Sequence, residues 1–149
     1  MNGRTARTAR NVGNIANLST PLGLILALVC RARLRRRRGL IVADSAHLGF
    51  IPAGAITIGS VVLIPRLTLE ELEQRIPTVM AHEEEHAWQW AACLGLPFIP
   101  LYFAATIWSW LRTGDRASAN FFEQQAGLER GGYRIRPVQR RRREAERSA

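Results

Sequence analysis

The chain contains no lysine. All 21 of its basic residues are arginine, against 12 acids, for a formal net charge of +9 over 149 residues. Arginine without lysine reads as codon bias as much as function. A balance this basic suggests a nucleic-acid partner, but the placement argues against one. Fourteen arginines fall in an N-terminal segment (Arg4, Arg7, Arg10), an internal run (Arg31, Arg33 and residues 35–38) and a C-terminal run (residues 140–143 and Arg147). The remaining seven face ten acids, so the body of the chain offers no basic face.

Cysteine is nearly as scarce. Cys30 and Cys93 cannot build a disulfide framework, and each stands in an apolar run as a buried free thiol does, in keeping with a reducing compartment. An export signal is missing too. The apolar residues 21–30 follow positive charge, but Arg31 comes next instead of a small-residue cleavage site. Val29 is also too large to precede a lipid-attachment cysteine. A cytoplasmic location is expected.

Internal repeats are absent. One long uncharged run, residues 94–111, has 18 residues and reaches the lower limit for a membrane span. Pro97 and Pro100 break its first third, so a core helix pair or an interfacial segment is expected rather than a span. Peripheral membrane contact, if made, would use this run. Hydrophobic residues make up 47% of the chain, which excludes wholesale disorder, and the length suits one domain.

Residues 1–14 are small, polar and Arg-bearing, and read as a mobile arm. Ser19-Thr20-Pro21 starts a short helix over 18–30. Residues 39–43 and 55–64 are rich in Ile and Val and predict two or three strands, an antiparallel hairpin or meander interrupted at Gly59-Ser60. Thr68-Leu69-Glu70-Glu71 is a capping box that opens a helix to about Arg75. Pro77 suits the first turn of the next, which should run to Leu94 with Gly95 as its cap. Pro100 opens a third helix over 101–112, and a fourth runs from Ser118 or Asn120 to Arg130. The charged tail from residue 137 reads as disordered. Strands followed by helices give an α+β class, with a small N-terminal antiparallel sheet.

The most informative residues are His82-Glu83-Glu84-Glu85-His86. On a helix, positions i and i+4 share a face one turn apart, so two imidazoles can address one zinc ion. Glu83, beside them, can take a proton from a water that zinc has acidified. The competing reading is a solvated acidic face, on which Glu84 and Glu85 are ordinary surface charge. They could also raise the local zinc concentration without being ligands. A catalytic zinc needs a third protein ligand. Six residues after His86 stands Ala92, and Gln89 occupies the position of the metzincin glycine, which excludes that class.

The remaining candidates are Asp115, Glu123, Glu129 and, upstream, His47. Asp115 follows Gly114 and looks like turn chemistry, and Glu129 lies in a last helical turn. Glu123 stands between Phe122 and Ala126 on a helix that must fold back on the His helix, and a carboxylate among Phe side chains needs a cation nearby. It is preferred as the ligand. The alternative is a capping pair in which Glu123 bonds back to Asn120. Gln89 and Trp90 continue the His82-His86 face as supports or as core. Tyr133, Tyr102 or His47 could stabilise an oxyanion or simply pack. Trp88, Trp90, Trp108 and Trp110 read as helix–helix core or an interfacial belt.

His82-Glu83-x-x-His86 with a downstream Glu resembles the gluzincin type of zinc metallopeptidase. More closely, His82-Glu83-x-x-His86-x-x-Gln89-Trp90 followed by Asn120-x-Phe122-Glu123-x-x-Ala126 resembles a group of small bacterial zincin-like proteins. Asn17-Leu18-Ser19-Thr20-Pro21-Leu22-Gly23 and Ile58-Gly59-Ser60-Val61-Val62-Leu63 are similar to theirs, so the resemblance covers about residues 17–133. It implies one zincin-like domain over 15–136, zinc held by His82, His86 and Glu123, and Glu83 as the base. Unlike the wider gluzincin pattern, the chain has no separate substrate domain.

The expected function is therefore a zinc-dependent hydrolase acting on a peptide or protein, with nothing in the resemblance fixing the substrate further. An extended peptide could pair with the edge of the strand over 55–64. One rival is a structural or regulatory zinc protein without turnover. The other is an Arg-tailed binding module for nucleic acid or anionic lipid, whose binding would fall with salt.

Overall fold

Two consecutive residues with positive φ, Arg38 (53°) and Gly39 (76°), reverse the chain between β1 (Arg33–Arg37) and β2 (Leu40–Ala46). Both central residues of such a two-residue hairpin turn need this region, which favours glycine at the second. The computed structural model describes residues 2–47 and 54–138. Its sheet continues with β3 (Ile56–Ile58) and β4 (Val61–Pro65), in the order β1-β2-β4-β3. The β1–β2 and β3–β4 pairs are antiparallel, and the latter turns at Gly59-Ser60 as expected. The central β2–β4 pair is parallel, with Ile41 opposite Val61, so the sheet is mixed where an antiparallel one was expected.

β4 is buried along its length and serves both faces. Val62 and Ile64 pack with Leu40, Val42, Leu69, Leu72, Val79 and Met80 against α3 (Leu69–Arg75) and α4 (Val79–Ala92). Val61 and Leu63 pack on the other face with Ala27, Cys30 and Ala43 against α2 (Ser19–Val29). The α+β class holds, with helices on both sides of a four-stranded sheet. Cys30 is buried and Cys93 half-buried, both as free thiols.

Two charged segments form elements that the sequence reading did not assign. Residues 1–14, read as a mobile arm, mostly form α1 (Gly3–Ala16), capped by Asn2. Its anchors are polar: Arg10 pairs with Glu84 at 3.2 Å, and Asn14 Nδ2 donates to Ser60 Oγ and the Ala87 carbonyl. The internal arginine run is strand β1, exposed at the sheet edge, where charge discourages pairing with another chain. Arg35 and Arg37 pair with Glu70 (2.5 Å) and Glu73 (3.0 Å) of α3.

The capping box at Thr68 and Glu71 is present. Pro77 precedes α4 instead of entering its first turn, and the helix ends at Ala92, two residues early. Leu94 and Gly95 then turn with positive φ, and the Gly95 amide donates to the Trp90 carbonyl (2.9 Å). α5 (Phe98–Thr113) begins three residues earlier than expected, with Pro100 in its first turn, where the missing amide proton costs nothing. α6 (Phe121–Ala126) is short because Gly127, at φ 91°, stops it well before Arg130. The arginines of residues 140–147 lie outside the described residues. No single helix among the described residues is long and apolar enough to cross a membrane.

Candidate metal centre

α4 sets His82 and His86 one turn apart on a buried face. Each ring commits its Nδ1–H to a carbonyl oxygen: His82 to the Gly127 backbone (3.0 Å), His86 to Gln89 Oε1 (2.8 Å). The Gln89 amide is itself oriented, since its Nε2 donates to the Phe122 carbonyl (2.9 Å) and Gln125 Oε1 (3.0 Å). With both rings neutral, both Nε2 atoms then carry lone pairs, and they face each other at 3.0 Å. From α6, Glu123 brings Oε2 to 3.2 Å of His82 Nε2 and Oε1 to 3.5 Å of His86 Nε2.

This arrangement lacks a positive charge. His82 and Glu123 are 2% and 1% exposed, and Glu123 Oε2 has no hydrogen-bond donor. Three electron-rich atoms packed together away from water repel one another unless a proton or a cation lies between them. One ligand atom from each of His82, His86 and Glu123 lies within 4.8 Å of the others, and the group could hold a metal ion. Without a metal, a proton on His86 takes that place. Burial disfavours the charged imidazole of His86, but the Glu123 hydrogen bond and the charges of Glu83 and Glu123 outweigh it and raise its pKa to about 9. Burial likewise opposes ionisation of Glu123, yet the adjoining imidazoles of His82 and His86 hold it well below the usual carboxylate range.

The capping alternative for Glu123 is not what forms. Asn120 caps α6 by accepting from the Phe122 amide (2.9 Å), which leaves the Glu123 carboxylate free to face the histidines. Tyr102 of α5 donates its hydroxyl to Glu123 Oε1. Burial first, and then the Glu123 charge, push the phenols of Tyr102 and Tyr133 well above their ordinary pKa, so both stay protonated. Tyr133 lies over His82, ring centroids 5.7 Å apart. Glu83 is buried beside the group, not in it, with Oε2 accepting from Thr57 Oγ1 at 2.6 Å.

Trp90 belongs to the core. Its ring packs on Phe98 and its Nε1 donates to the Thr57 carbonyl (2.8 Å). β3 is an edge strand, as peptide pairing requires, but this bond already occupies one of its carbonyls. Asp115 is turn chemistry, its Oδ2 accepting from Ser118 N and Oγ, and Glu129 and His47 are exposed and take no part in the group. Glu84 is a correction to the sequence reading. It is buried and ion-paired to Arg7, Arg10 and Arg38, and is not surface charge.

Sequence reasoning missed Thr57, the Gly127 carbonyl and Gly131. A Cβ on Gly131 would lie 2.8 Å from His82 Cε1 and 2.9 Å from its Nε2. The ring cannot swing away without losing its bond to Gly127. Gly131→Ala is therefore expected to weaken divalent-metal affinity about 10- to 100-fold, as loss of ligand-orienting contacts does elsewhere. A competition titration against a chromophoric chelator measures this, and unchanged affinity would show that the 127–133 segment yields.

Comparison with protein-family models, with curated proteins and with solved structures found no match.

Proposed function

We propose that the chain is a zinc-dependent hydrolase of the metallopeptidase kind, with His82, His86 and Glu123 holding the ion and Glu83 as general base. The observation that carries this is the convergence of two Nε2 atoms on a buried Glu123 oxygen that has no hydrogen-bond donor. Two imidazoles and one carboxylate are a donor set that suits catalytic zinc and leaves a coordination position for water or substrate. When bound, zinc supplies Lewis acidity, which polarises a carbonyl and makes water a nucleophile near neutral pH. Glu83 then has the base's task. Thr57 holds one of its carboxylate oxygens, which fixes the rotamer and leaves the other to accept the proton from the attacking water and pass it to the departing amine. Tyr133, kept protonated and beside His82, is the hydroxyl placed to donate to a developing oxyanion.

The near-complete burial of all three ligands favours a second reading, a structural or regulatory zinc site without turnover. Elemental analysis of the purified chain tests the shared premise. One zinc per chain is expected, lost in His82→Ala and Glu123→Ala and retained in Glu83→Ala. Zinc absent from the wild type, or unaffected by all three changes, would remove both readings. The Arg-tailed binding module is the remaining alternative. Much of the structured arginine it would draw on is already paired with acids.

A further inference from the structure

α5 has its polarity inverted for a helix on a protein surface. The side chains it turns inward are Phe98, Tyr102, Thr106, Ser109 and Thr113, and four of the five are polar. Each polar one is bonded: Tyr102 to Glu123, Thr106 Oγ1 from Asn120 Nδ2 (3.1 Å), Ser109 Oγ to the Asp115 carbonyl (2.7 Å), and Thr113 Oγ1 to the Ser109 carbonyl (2.8 Å). The side chains turned outward are apolar. Leu101, Phe103, Ile107, Trp108, Trp110 and Leu111 are each half or more exposed. At 3.6 residues per turn they sweep roughly 200° of the helix circumference, about twice the stripe that one partner helix or groove covers.

The surface continues across two turns. Gly95 lies so close to the α1–α2 turn that a Cβ there would meet the Asn17 carbonyl oxygen at 2.7 Å, which packs the turn carrying Leu94 against the turn carrying Leu18. Both leucines have positive φ (66° and 58°), a region that favours Gly or Asn, and both are largely exposed. The fold thus holds two bulky apolar side chains out against local backbone preference. Charge on this face has one sign. No acid occurs between Glu85 and Asp115, nor anywhere before Asp44. Arg112, at the end of α5, stacks over Trp108 at 5.0 Å.

We propose that α5, with the Leu18 and Leu94 turns, docks this protein on a bilayer bearing anionic headgroups, the helix lying in the interface plane. Sixteen residues span only about 24 Å, too short to cross. A bilayer solvates the whole outward arc, Trp and Arg are the side chains that settle at its headgroup level, and the absence of acid matches an anionic surface. The inference does not depend on the metal reading.

Vesicle flotation of the full chain tests it, using phosphatidylcholine alone and phosphatidylcholine mixed with phosphatidylglycerol. Wild type is expected to float with the mixed vesicles, with blue-shifted tryptophan emission, and less with phosphatidylcholine alone. Ile107→Gln/Trp110→Gln should partition at least about tenfold more weakly, with its unfolding curve in buffer unchanged or shifted to higher denaturant. Leu94→Asn should also partition less, while folding normally, because Asn accepts the left-handed backbone. Three results would overturn the proposal: no flotation of wild type, equal flotation of the α5 variants, or a stable dimer in buffer that these substitutions dissociate. A fourth is flotation lost on Arg→Gln substitution at positions 140–143 but kept in the α5 variants, which would assign the contact to the tail.

Discussion

Glu83→Gln is expected to keep a full complement of metal and to lower kcat for peptide hydrolysis by about 10²–10⁴, the range that a positioned general base contributes. The two effects separate because Glu83 lies outside the ligand group while its carboxylate acts electrostatically on His86, Tyr102 and Tyr133. His82→Ala, by contrast, should lose metal and turnover together. Thr57→Val supplies an intermediate case. It removes the 2.6 Å bond that holds Glu83 Oε2 and should reduce kcat about tenfold with the pH profile broadened and metal content intact. The measurement is single-turnover cleavage of a quenched-fluorescence peptide library by zinc-loaded protein. Full activity in Glu83→Gln would remove Glu83 as the base. One zinc per chain with no cleavage by wild type would leave the non-catalytic zinc reading.

The His82–His86–Glu123 group was legible because its parts obey local rules. His82 and His86 are one helical turn apart, and Glu123 is the one downstream acid embedded in apolar sequence on a returning helix. The Thr68 capping box and the Gly59-Ser60 hairpin were legible for the same reason: their bonds run between residues a few positions apart. What periodicity could not show were elements held by polar contacts at long separation. α1 has few apolar residues to mark a face; Arg10 and Asn14 dock it instead, through partners more than 40 positions away. β1 carries no alternation because it is an exposed edge, answered by acids on α3. The parallel β2–β4 pairing depends on a crossover, not on any property of either strand. In α5, the apolar run fitted core and an interfacial segment equally, and most of its large side chains face outward. Gly127 fell inside the helix expected to reach Arg130 and Gly131 just beyond it, and nothing local says that one offers its carbonyl to His82 and the other makes room for its ring.

The largest stability effect is expected at Glu84, on the face of α4 turned away from His82 and His86. Its carboxylate accepts from Arg7 Nε (2.6 Å), Arg10 Nη1 (3.2 Å) and Arg38 Nε (3.1 Å), tying α1 and the β1–β2 turn to α4. Arg7 and Arg38 are partly exposed and can turn to water, but the Arg10 side chain is fully buried. Without Glu84 its direct partners are Asn11, the Gly39 carbonyl and the Trp88 ring, and the Glu85 charge acts on it without an ion-pair contact. Removing Glu84 leaves that guanidinium uncompensated, which costs about 3–5 kcal/mol for a buried pair broken on one side. Glu84→Ala should show this loss in urea denaturation at pH 7. Arg10→Met/Glu84→Met, which removes both charges, should lose less than the sum of the single changes.

The effect carries a pH signature. Burial alone would raise the Glu84 pKa, but the three arginines outweigh it and set it below the usual 4.5. A depressed native pKa means that the unfolded chain takes up its proton first as pH falls. The contribution of Glu84 is therefore complete above about pH 4.5 and fades as pH falls through the native value. Wild type and Glu84→Gln should thus differ most near neutrality and converge in acid. Comparison of the two variants cancels the carboxylates they share, Asp115 and Glu123 among them. A difference that stayed constant down to pH 3 would show that Glu84 stabilises by packing and hydrogen bonding, not by its charge.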